Sequence, residues 1–278
     1  MVKLYHTDVR ILENKNLSPD VKLLVFSNPR IAKESFPGKF ISIDCSPLVF
    51  LRRPFCISGV SGAKIEIFYK VIGLGTRALS RRKKGEFINV LGPLGSGFPE
   101  AFVKKDAKFT PLFVAGGTGI AALRYLAQEL PKPGVLFYGA KTKKEIPNGA
   151  LEIFRKKKWQ VGISTDDGTL GTRCTSCDLF DDYISRGTRS TRDHSGSAAV
   201  VFACGPKPML KGVIKTAHKH GLKCFVSLEE KMACGLGACR GCVTKVRSPD
   251  LKHSGQEYIY KTICKDGPVF DSKELILE

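Results

Sequence analysis

Apolar and polar residues alternate in short segments along the first hundred residues of the chain. This period of two is typical of strands that bury one face. Glycine and proline separate the segments, as at Pro37-Gly38 and Gly92-Pro93, and such pairs mark turns. Short strands with regular turns favour an antiparallel β-barrel over residues 1–102. Predicted strands lie at 6–12, 21–26, 39–44 and 64–72.

The pattern changes to alternating strands and helices over residues 103–222. A helix is expected from Ile120 to Leu130, where Pro131 ends it. Alternation of strand and helix predicts a parallel α/β sheet with helices on both faces. The polar segment 185–197 lacks periodicity and predicts a surface loop. Predicted strands lie at 110–115, 135–139 and 198–203.

Four cysteines in the last region, residues 223–278, have the spacing of an iron–sulfur site. Cys234, Cys239 and Cys242 form a C-x4-C-x2-C motif, and Cys264 follows on a distant segment. This arrangement is typical of a plant-type [2Fe–2S] cluster, which transfers single electrons. A four-cysteine zinc site is the alternative, but the paired C-x2-C knuckles of such sites are missing here. The sequence therefore predicts a small [2Fe–2S] domain.

The composition is consistent with a multidomain protein that does not span a membrane. A chain of 278 residues allows two domains and a small third. No apolar run approaches the roughly 20 residues that cross a bilayer, and no signal-peptide core is present, so we expect a cytoplasmic protein. The net charge of +19 is spread over short basic runs without a nucleic-acid-binding signature. This scattered distribution of positive charge favours a solvated surface over a nucleic-acid site.

Two turns in the first region have the chemistry of a phosphate site. The glycines of Gly73-Leu74-Gly75 let the backbone approach a pyrophosphate closely, and a short helix from Thr76 would point its N–H groups at it. Arg53, in the other turn at residues 52–58, can add a charge-assisted contact to a phosphate. Each turn alone is common, but the two turns in this order on a barrel are more specific.

These motifs together resemble the ferredoxin–NADP reductase superfamily. The flavin-domain motifs are Arg53-Pro54, Tyr69-Lys70, Gly73-x-Gly75-Thr76 and Gly92-Pro93-Leu94-Gly95. The nicotinamide-domain motifs are residues 115–119 and 203–206. The tail, from Leu228 to Cys242 and from Cys264 to Asp271, narrows the resemblance to the electron-transfer subunits of NAD-linked dihydroorotate dehydrogenase. The resemblance covers nearly the whole chain.

The resemblance implies an oxidoreductase subunit that acts with a partner in pyrimidine biosynthesis. In that family a separate FMN-containing catalytic subunit oxidises dihydroorotate, and the electrons pass through a [2Fe–2S] cluster and FAD to NAD+. The expected assembly is a heterotetramer with two copies of each subunit. The alternative is a flavin and iron–sulfur subunit of a ferredoxin- or sulfur-linked NAD(P)H oxidoreductase.

The resemblance also assigns residues to each cofactor, and no catalytic residue for dihydroorotate is expected on this chain. The FAD set is Arg53, Pro54, Phe55, Cys56, Phe68, Tyr69, Lys70, Gly75 and Thr76. The NAD set is Gly116, Gly117, Thr118, Gly119, Cys204, Gly205 and Pro206. The cluster set is Cys234, Cys239, Cys242 and Cys264.

Three features depart from the superfamily pattern. Relatives usually have serine at the position of Cys56, and many have proline where this chain has Ala121-Ala122. Cys174 and Cys177 form an additional C-x-x-C motif. We interpret them as two ordinary thiols, because neither a second cysteine pair nor a thioredoxin-like context accompanies them. A redox or metal-binding role is the alternative.

Overall fold

The architecture follows the order of the predicted regions. A computed structural model describes residues 3–47, 49–104, 106–186, 198–248 and 257–277. From residue 187 onward, the predicted surface loop at 185–197 lies outside this described part. In the order of the chain, a seven-stranded sheet is followed by a six-stranded sheet and then by a three-stranded sheet.

The first sheet is antiparallel throughout and curls into a half-barrel. Its order is β4-β3-β7-β1-β2-β6-β5. Phe55 on the edge strand β4 packs edge-on against Tyr69 on β6, with ring centroids 5.7 Å apart, so opposite ends of the sheet meet. The elements are β1 (Tyr5–Asn16), β2 (Val21–Ser27), α1 (Pro29–Glu34), β3 (Phe40–Ile43), β4 (Arg53–Cys56), β5 (Gly59–Ser61), β6 (Lys64–Lys70), α2 (Leu74–Arg81) and β7 (Phe87–Leu94).

The second sheet is parallel except for its last strand, and its order is β10-β9-β8-β11-β12-β15. Strand β11 is buried at every position, as expected for a strand covered on both faces. The elements are β8 (Thr110–Gly116), α3 (Ile120–Glu129), β9 (Val135–Ala140), α4 (Glu152–Lys156), β10 (Gln160–Thr165), α5 (Ser176–Arg186), β11 (Ala199–Cys204), α6 (Lys207–Lys219), β12 (Lys223–Ser227) and β15 (Val269–Asp271).

Alternate residues of the central strands fill two separate cores. Phe113 and Phe202 point to the face that α3 covers, whereas Leu112 and Val201 point to the opposite face with residues of α5 and α6. Side chains alternate between the two faces of a strand, so one continuous apolar run supplies both cores.

The predicted third region forms a small sheet and also contributes to the second one. Its own sheet has the order β14-β13-β16. Strands β12 and β15, which begin and nearly end this region, belong to the six-stranded sheet instead. The remaining elements are β13 (Val243–Arg247), β14 (Tyr258–Thr262), α7 (Ile263–Asp266) and β16 (Leu275–Ile276).

Arg124 on α3 joins the half-barrel to the second sheet. Its guanidinium lies 4.6 Å from the ring centroid of Phe68 and 3.7 Å from the carboxylate of Glu66, both on β6. The same group donates to the carbonyls of Gly149 and Ala150, each at 2.8 Å. Its side chain is only 12% exposed. One buried cation therefore bridges two domains.

Replacing Arg124 is expected to weaken the contact between the domains. Arg124→Ala leaves two carbonyls without a donor and removes the cation–π contact, so we expect the free energy of unfolding to fall by about 2–4 kcal/mol. The exposed Arg155 provides a control, because Arg155→Ala should change it by less than about 0.5 kcal/mol. Urea unfolding of the cofactor-loaded protein measures both. Equal effects would contradict the bridging role.

Candidate functional site

A cavity of about 420 Å³ lies where the half-barrel meets the second sheet. All nine residues of the FAD set line it. Strand β4 supplies residues 53–56, strand β6 supplies residues 68–70, and the first turn of α2 supplies Gly75 and Thr76. Because the half-barrel brings β4 next to β6, residues far apart in the sequence form one wall.

Thr76 fixes the turn at one end of this cavity. Its hydroxyl accepts the N–H groups of Ile72, at 3.0 Å, and Gly73, at 3.1 Å, and donates to the carbonyl of Gly73. Gly75, the residue before Thr76, also lines the wall. A Cβ on Gly75 would lie only 3.1 Å from the side chain of Arg53. The first turn of α2 and the Arg53 guanidinium thus form a positive corner that suits a pyrophosphate.

The two segments of the NAD set meet at the other side of the cavity. Strands β8 and β11 are parallel neighbours, with Ala115 opposite Cys204. At Gly119, any Cβ would overlap with the carbonyl of Cys204, so only glycine permits this approach. Thr118 and Cys204 line the cavity itself.

The other members of the NAD set lie beside the cavity wall. A Cβ on Gly116 would lie 2.8 Å from Pro206. Gly205 and Pro206 line an adjacent cavity of about 200 Å³. Gly117 has a positive φ of 53°, and a Cβ placed on it would meet no other atom within 4 Å. The structure therefore brings both predicted segments together but exposes only two side chains to the main cavity.

Several wall residues were not assigned from the sequence. One group comes from the chain just before Cys234, and another from the chain just after Cys264. Their closeness to the cysteines is a sequence signal that could have revealed them. Ala121 and Ala122, which replace the usual proline, also line the wall. The unassigned residues are Phe40, Ile72, Leu74, Ala121, Ala122, Leu228, Glu229, Glu230, Met232 and Pro268.

Cys56 and Cys204 give the inner part of the cavity little charge. Desolvation raises the pKa of the Cys56 thiol to about 12 and that of Cys204 well above its usual range, so both thiols are neutral. Solvent reaches Glu229 through the open cavity, yet the surrounding protein desolvates its carboxylate and raises its pKa. An uncharged aromatic ring system suits these surroundings better than an anion does.

The cysteines of the cluster set receive backbone hydrogen bonds. Cys234 accepts the N–H groups of Leu236, at 3.3 Å, and Cys239, at 3.5 Å. Cys264 accepts the N–H of Gly237 at 3.1 Å, where φ is +81°. Burial raises the pKa of Cys234, but the N–H groups of Cys239 and Leu236 outweigh burial and bring it to about 6. The loop therefore favours thiolate at this position.

The four thiols associate as two pairs. In one pair, the sulfur of Cys234 accepts the N–H of Cys239. In the other pair, the sulfur of Cys242 accepts the N–H of Cys264 at 3.4 Å. Burial, followed by the neighbouring Cys242, raises the pKa of Cys264 to about 12. Within the described ranges, no three His, Cys, Asp or Glu side chains are placed to hold a single metal ion. Two pairs suit a two-iron cluster better than one four-coordinate zinc ion.

The cysteine loop is attached directly to the cavity wall. Met232 lines the cavity two residues before Cys234, and Pro268 lines it four residues after Cys264. Ser96, just after β7, donates its N–H to the carbonyl of Gly267 at 2.7 Å. Leu94 lies 3.4 Å from where a Cβ on Gly235 would be. These contacts hold the loop against the half-barrel.

The additional pair Cys174 and Cys177 lies away from this wall. Cys177 is at the start of α5, and its sulfur lies against Gly212 of α6. Burial raises its pKa to about 11 and also raises that of Cys174. Neutral thiols, with Cys177 packed between two helices, are compatible with the interpretation as ordinary cysteines, which stays a prediction.

The last region matches the family model described as "Iron-sulfur cluster binding domain of dihydroorotate dehydrogenase B" over residues 229–276. The chain is 35% identical, over 267 residues, to the dihydroorotate dehydrogenase B (NAD(+)) electron transfer subunit of Caldanaerobacter subterraneus subsp. tengcongensis, with 96% of this chain and 97% of the relative covered. The subunit of the same name from Bacillus cereus is 33% identical over 277 residues, with the same coverage.

A solved structure supports the same architecture. The NADH-dependent reduced ferredoxin–NADP oxidoreductase, described in connection with flavin-based electron bifurcation, superimposes with a TM-score of 0.78 at 25% identity. The match covers 97% of this chain and 90% of that chain. The half-barrel, the α/β sheet and the small C-terminal domain are thus confirmed. In the described part of the chain, no helix has the length and apolar character that a membrane span requires.

Glu229 provides a pH-dependent prediction. Its raised pKa means that the folded protein binds more protons than the unfolded chain, so its contribution to stability declines as pH rises through the folded pKa. Glu229→Gln should therefore raise the melting temperature at pH 7.5. The gain should shrink towards zero as pH falls to the usual carboxyl range near about 4. Thermal unfolding across pH measures this, and a gain independent of pH would indicate a packing effect instead.

Proposed function

Because the chain belongs to the family of dihydroorotate dehydrogenase B electron transfer subunits, we propose that it carries electrons from a partner catalytic subunit to NAD+. The sequence resemblance to this family is confirmed. The protein is an oxidoreductase component, and its cofactors are FAD, a [2Fe–2S] cluster and NAD. FAD exchanges one or two electrons at a time, which lets a one-electron cluster work with a two-electron nicotinamide.

The FAD set holds the flavin in this proposal. Arg53 and the first turn of α2 bind the phosphates at the positive corner, and Thr76 keeps that turn in shape. Phe55, Phe68 and Tyr69 supply apolar walls. The neutral thiols of Cys56 and Cys204 leave the inner cavity suited to an uncharged ring system.

The four thiols of the cluster set would hold the [2Fe–2S] cluster, which transfers single electrons. The backbone N–H groups of Leu236 and Gly237 that reach Cys234 and Cys264 stabilise negative charge on the sulfurs, and such hydrogen bonds tune the reduction potential of a cluster. The positive φ values of Gly235 and Gly237 let the loop turn tightly enough to present these groups.

One observation carries the proposal: two short chain segments connect the cavity wall to cluster cysteines. Met232 and Cys234 are separated by one residue, and Cys264 and Pro268 by three, while Met232 and Pro268 both line the cavity. A cluster held by these cysteines therefore lies close to a flavin in the cavity. Thr118 and Cys204, on another side of the same cavity, mark where the nicotinamide would approach.

The partner follows from the family rather than from this chain alone. A subunit named for electron transfer requires a catalytic subunit, and we propose an FMN-containing one that oxidises dihydroorotate in pyrimidine biosynthesis, in a cytoplasmic heterotetramer with two copies of each chain. Cys239 is exposed, and Leu236 on the same loop is 45% exposed. An exposed cysteine loop suits electron entry from another protein.

The decisive experiment combines the purified chain with its FMN-containing partner. We expect a yellow-brown protein that oxidises NADH with an artificial acceptor on its own, and oxidises dihydroorotate with NAD+ only in the complex. Turnover of dihydroorotate by the isolated chain would contradict the division of labour. A flavin and cluster protein whose complex has no such activity would favour the ferredoxin- or sulfur-linked alternative.

A cysteine variant tests the cluster within that assay. Cys239→Ser should abolish the cluster signal in electron paramagnetic resonance and lower partner-linked NAD+ reduction by at least about 10–100-fold. Its FAD content and its NADH oxidation with an artificial acceptor should be unchanged, because the FAD set lies on the half-barrel. Cys174→Ser, outside the cluster set, serves as the matched control. Loss of FAD in Cys239→Ser alone would show that the cavity depends on an intact cluster.

A further inference from the structure

Glu229 belongs to the walls of two adjacent cavities. It lines the cavity of about 420 Å³ that is assigned to the flavin and the neighbouring cavity of about 200 Å³. The lining of the second cavity includes the polar Thr244 and the exposed residues Lys207 and Val243. Solvent therefore reaches this cavity, and it has room for several water molecules. Glu229 thus lies between the flavin site and a second source of water.

The backbone beside Glu229 is fixed, and its side chain lies near two thiols of the flavin cavity. The preceding residue, Leu228, is buried and donates its N–H to the carbonyl of Pro268 at 2.9 Å. After desolvation, the charge of Glu229 is the next cause of the raised pKa values of Cys56 and Cys204. Both cysteines line the flavin cavity. The carboxyl group therefore lies near the part of the cavity that suits the flavin ring.

Electron transfer through a cluster leaves one proton to be supplied at this cavity. A [2Fe–2S] cluster passes single electrons, whereas the reduction of NAD+ to NADH adds a hydride, which consists of two electrons and one proton. Under the proposed function, each NAD+ reduced therefore requires one proton to enter at the flavin. In enzymes, such protons come from positioned acidic side chains.

Glu229 is the strongest acid among the titratable groups of this part of the cavity. Burial raises the pKa of the Cys56 thiol to about 12 and that of Cys204 well above its usual range, so both thiols hold their protons tightly. Desolvation also raises the pKa of Glu229, but from the lower value that is usual for a carboxyl group. A carboxyl group in this position can give up a proton and regain one from water.

The cations of the two cavities do not keep Glu229 ionised. Arg53 and Lys70 line the flavin cavity, and Lys207 lines the second one. Desolvation is the only cause of the raised pKa of Glu229, so none of these three cations offsets it. The neighbouring Glu230 lines both cavities as well, but its carboxylate accepts the N–H of Lys231 at 2.9 Å.

We propose that Glu229 is the proton donor for reduction of the flavin in this protein. The inference rests on the proposed function, because only electrons that arrive without hydrogen require a separate proton. As two electrons reach the flavin from the cluster, Glu229 gives up its proton to the flavin. Its carboxylate then takes a new proton from water in the second cavity. The two electrons and the transferred hydrogen leave together as the hydride that converts NAD+ to NADH.

The test compares two ways of reducing the flavin in the full-length protein loaded with FAD and cluster. Reduced methyl viologen donates single electrons, so the flavin must take its proton from the protein. NADH brings its own hydrogen as a hydride and needs no proton donor. Stopped-flow absorbance measures both rates. The ratio of the viologen rate to the NADH rate should fall about 100- to 10,000-fold in Glu229→Gln, the range for loss of a general acid.

Two variants and a pH profile separate proton donation from a structural role. Glu230→Gln, the matched control, should keep the ratio of the unmodified protein. Glu229→Asp retains a carboxyl group and should recover part of the ratio. In the unmodified protein, the viologen rate should decline as pH rises through the pKa of Glu229, because only the protonated carboxyl group donates. This dependence should be absent in Glu229→Gln.

Infrared difference spectra provide a second measurement that does not depend on a rate. The spectrum of the reduced protein minus that of the oxidised protein should contain a change in the carbonyl band of a protonated carboxyl group, because the donor borders the flavin. Glu230→Gln should retain this change and Glu229→Gln should lack it.

Each contrary outcome has a distinct meaning. If Glu229→Gln lowers the viologen and NADH rates equally, the residue shapes the site and the proton-donor role is refuted. If it lowers neither rate, or if Glu230→Gln lowers the ratio as much, the proton has another source and the proposal is also overturned. If neither donor reduces the unmodified protein, the proposed function itself fails.

Discussion

The pairing of β12 with β15 is the constraint on which the functional site depends. Ser227 and Val269 stand opposite each other in this antiparallel pair, and Leu228 donates its N–H to the carbonyl of Pro268 at 2.9 Å. The described chain between these points, residues 228–248 and 257–268, leaves the second sheet and returns to the same place. The cysteine loop, the wall residues Glu229 and Met232, and Cys264 are all positioned by this one closure.

The same protein keeps its sulfur atoms in two different states. Desolvation leaves Cys56 and Cys204 neutral, and at Cys204 it outweighs a hydrogen bond from Ser227, whereas backbone N–H groups favour thiolate at Cys234. The difference comes from the backbone and not from charged side chains. The loop directs its N–H groups at sulfur because Gly235 and Gly237 adopt positive φ. The strands that carry Cys56 and Cys204 use most of their N–H groups in sheet ladders.

Local patterns in the sequence were sufficient to predict four of the seven half-barrel strands (β1, β2, β3 and β6), the glycine turn before α3 and the spacing of the four cysteines. Long-range pairing was not readable in this way. The strands β12 and β15 lie in the predicted cluster region, and no local signal shows that they join the nicotinamide sheet. The roles of Glu229 and Pro268 follow from that pairing, so they became visible only in the structure. Thr76 was expected at a phosphate, and the structure shows its hydroxyl holding the turn.

The bridge made by α3 has a consequence for how the protein handles its nucleotides. Arg124 contacts β6, Tyr125 donates to the carbonyl of Ser35 at 3.2 Å, and Gln128 donates to Val60. Three side chains of one helix thus attach the nicotinamide domain to the half-barrel. Domains joined only loosely can rotate apart, but these two are fastened along the wall that they share. We therefore expect NAD+ and NADH to exchange without separation of the two domains.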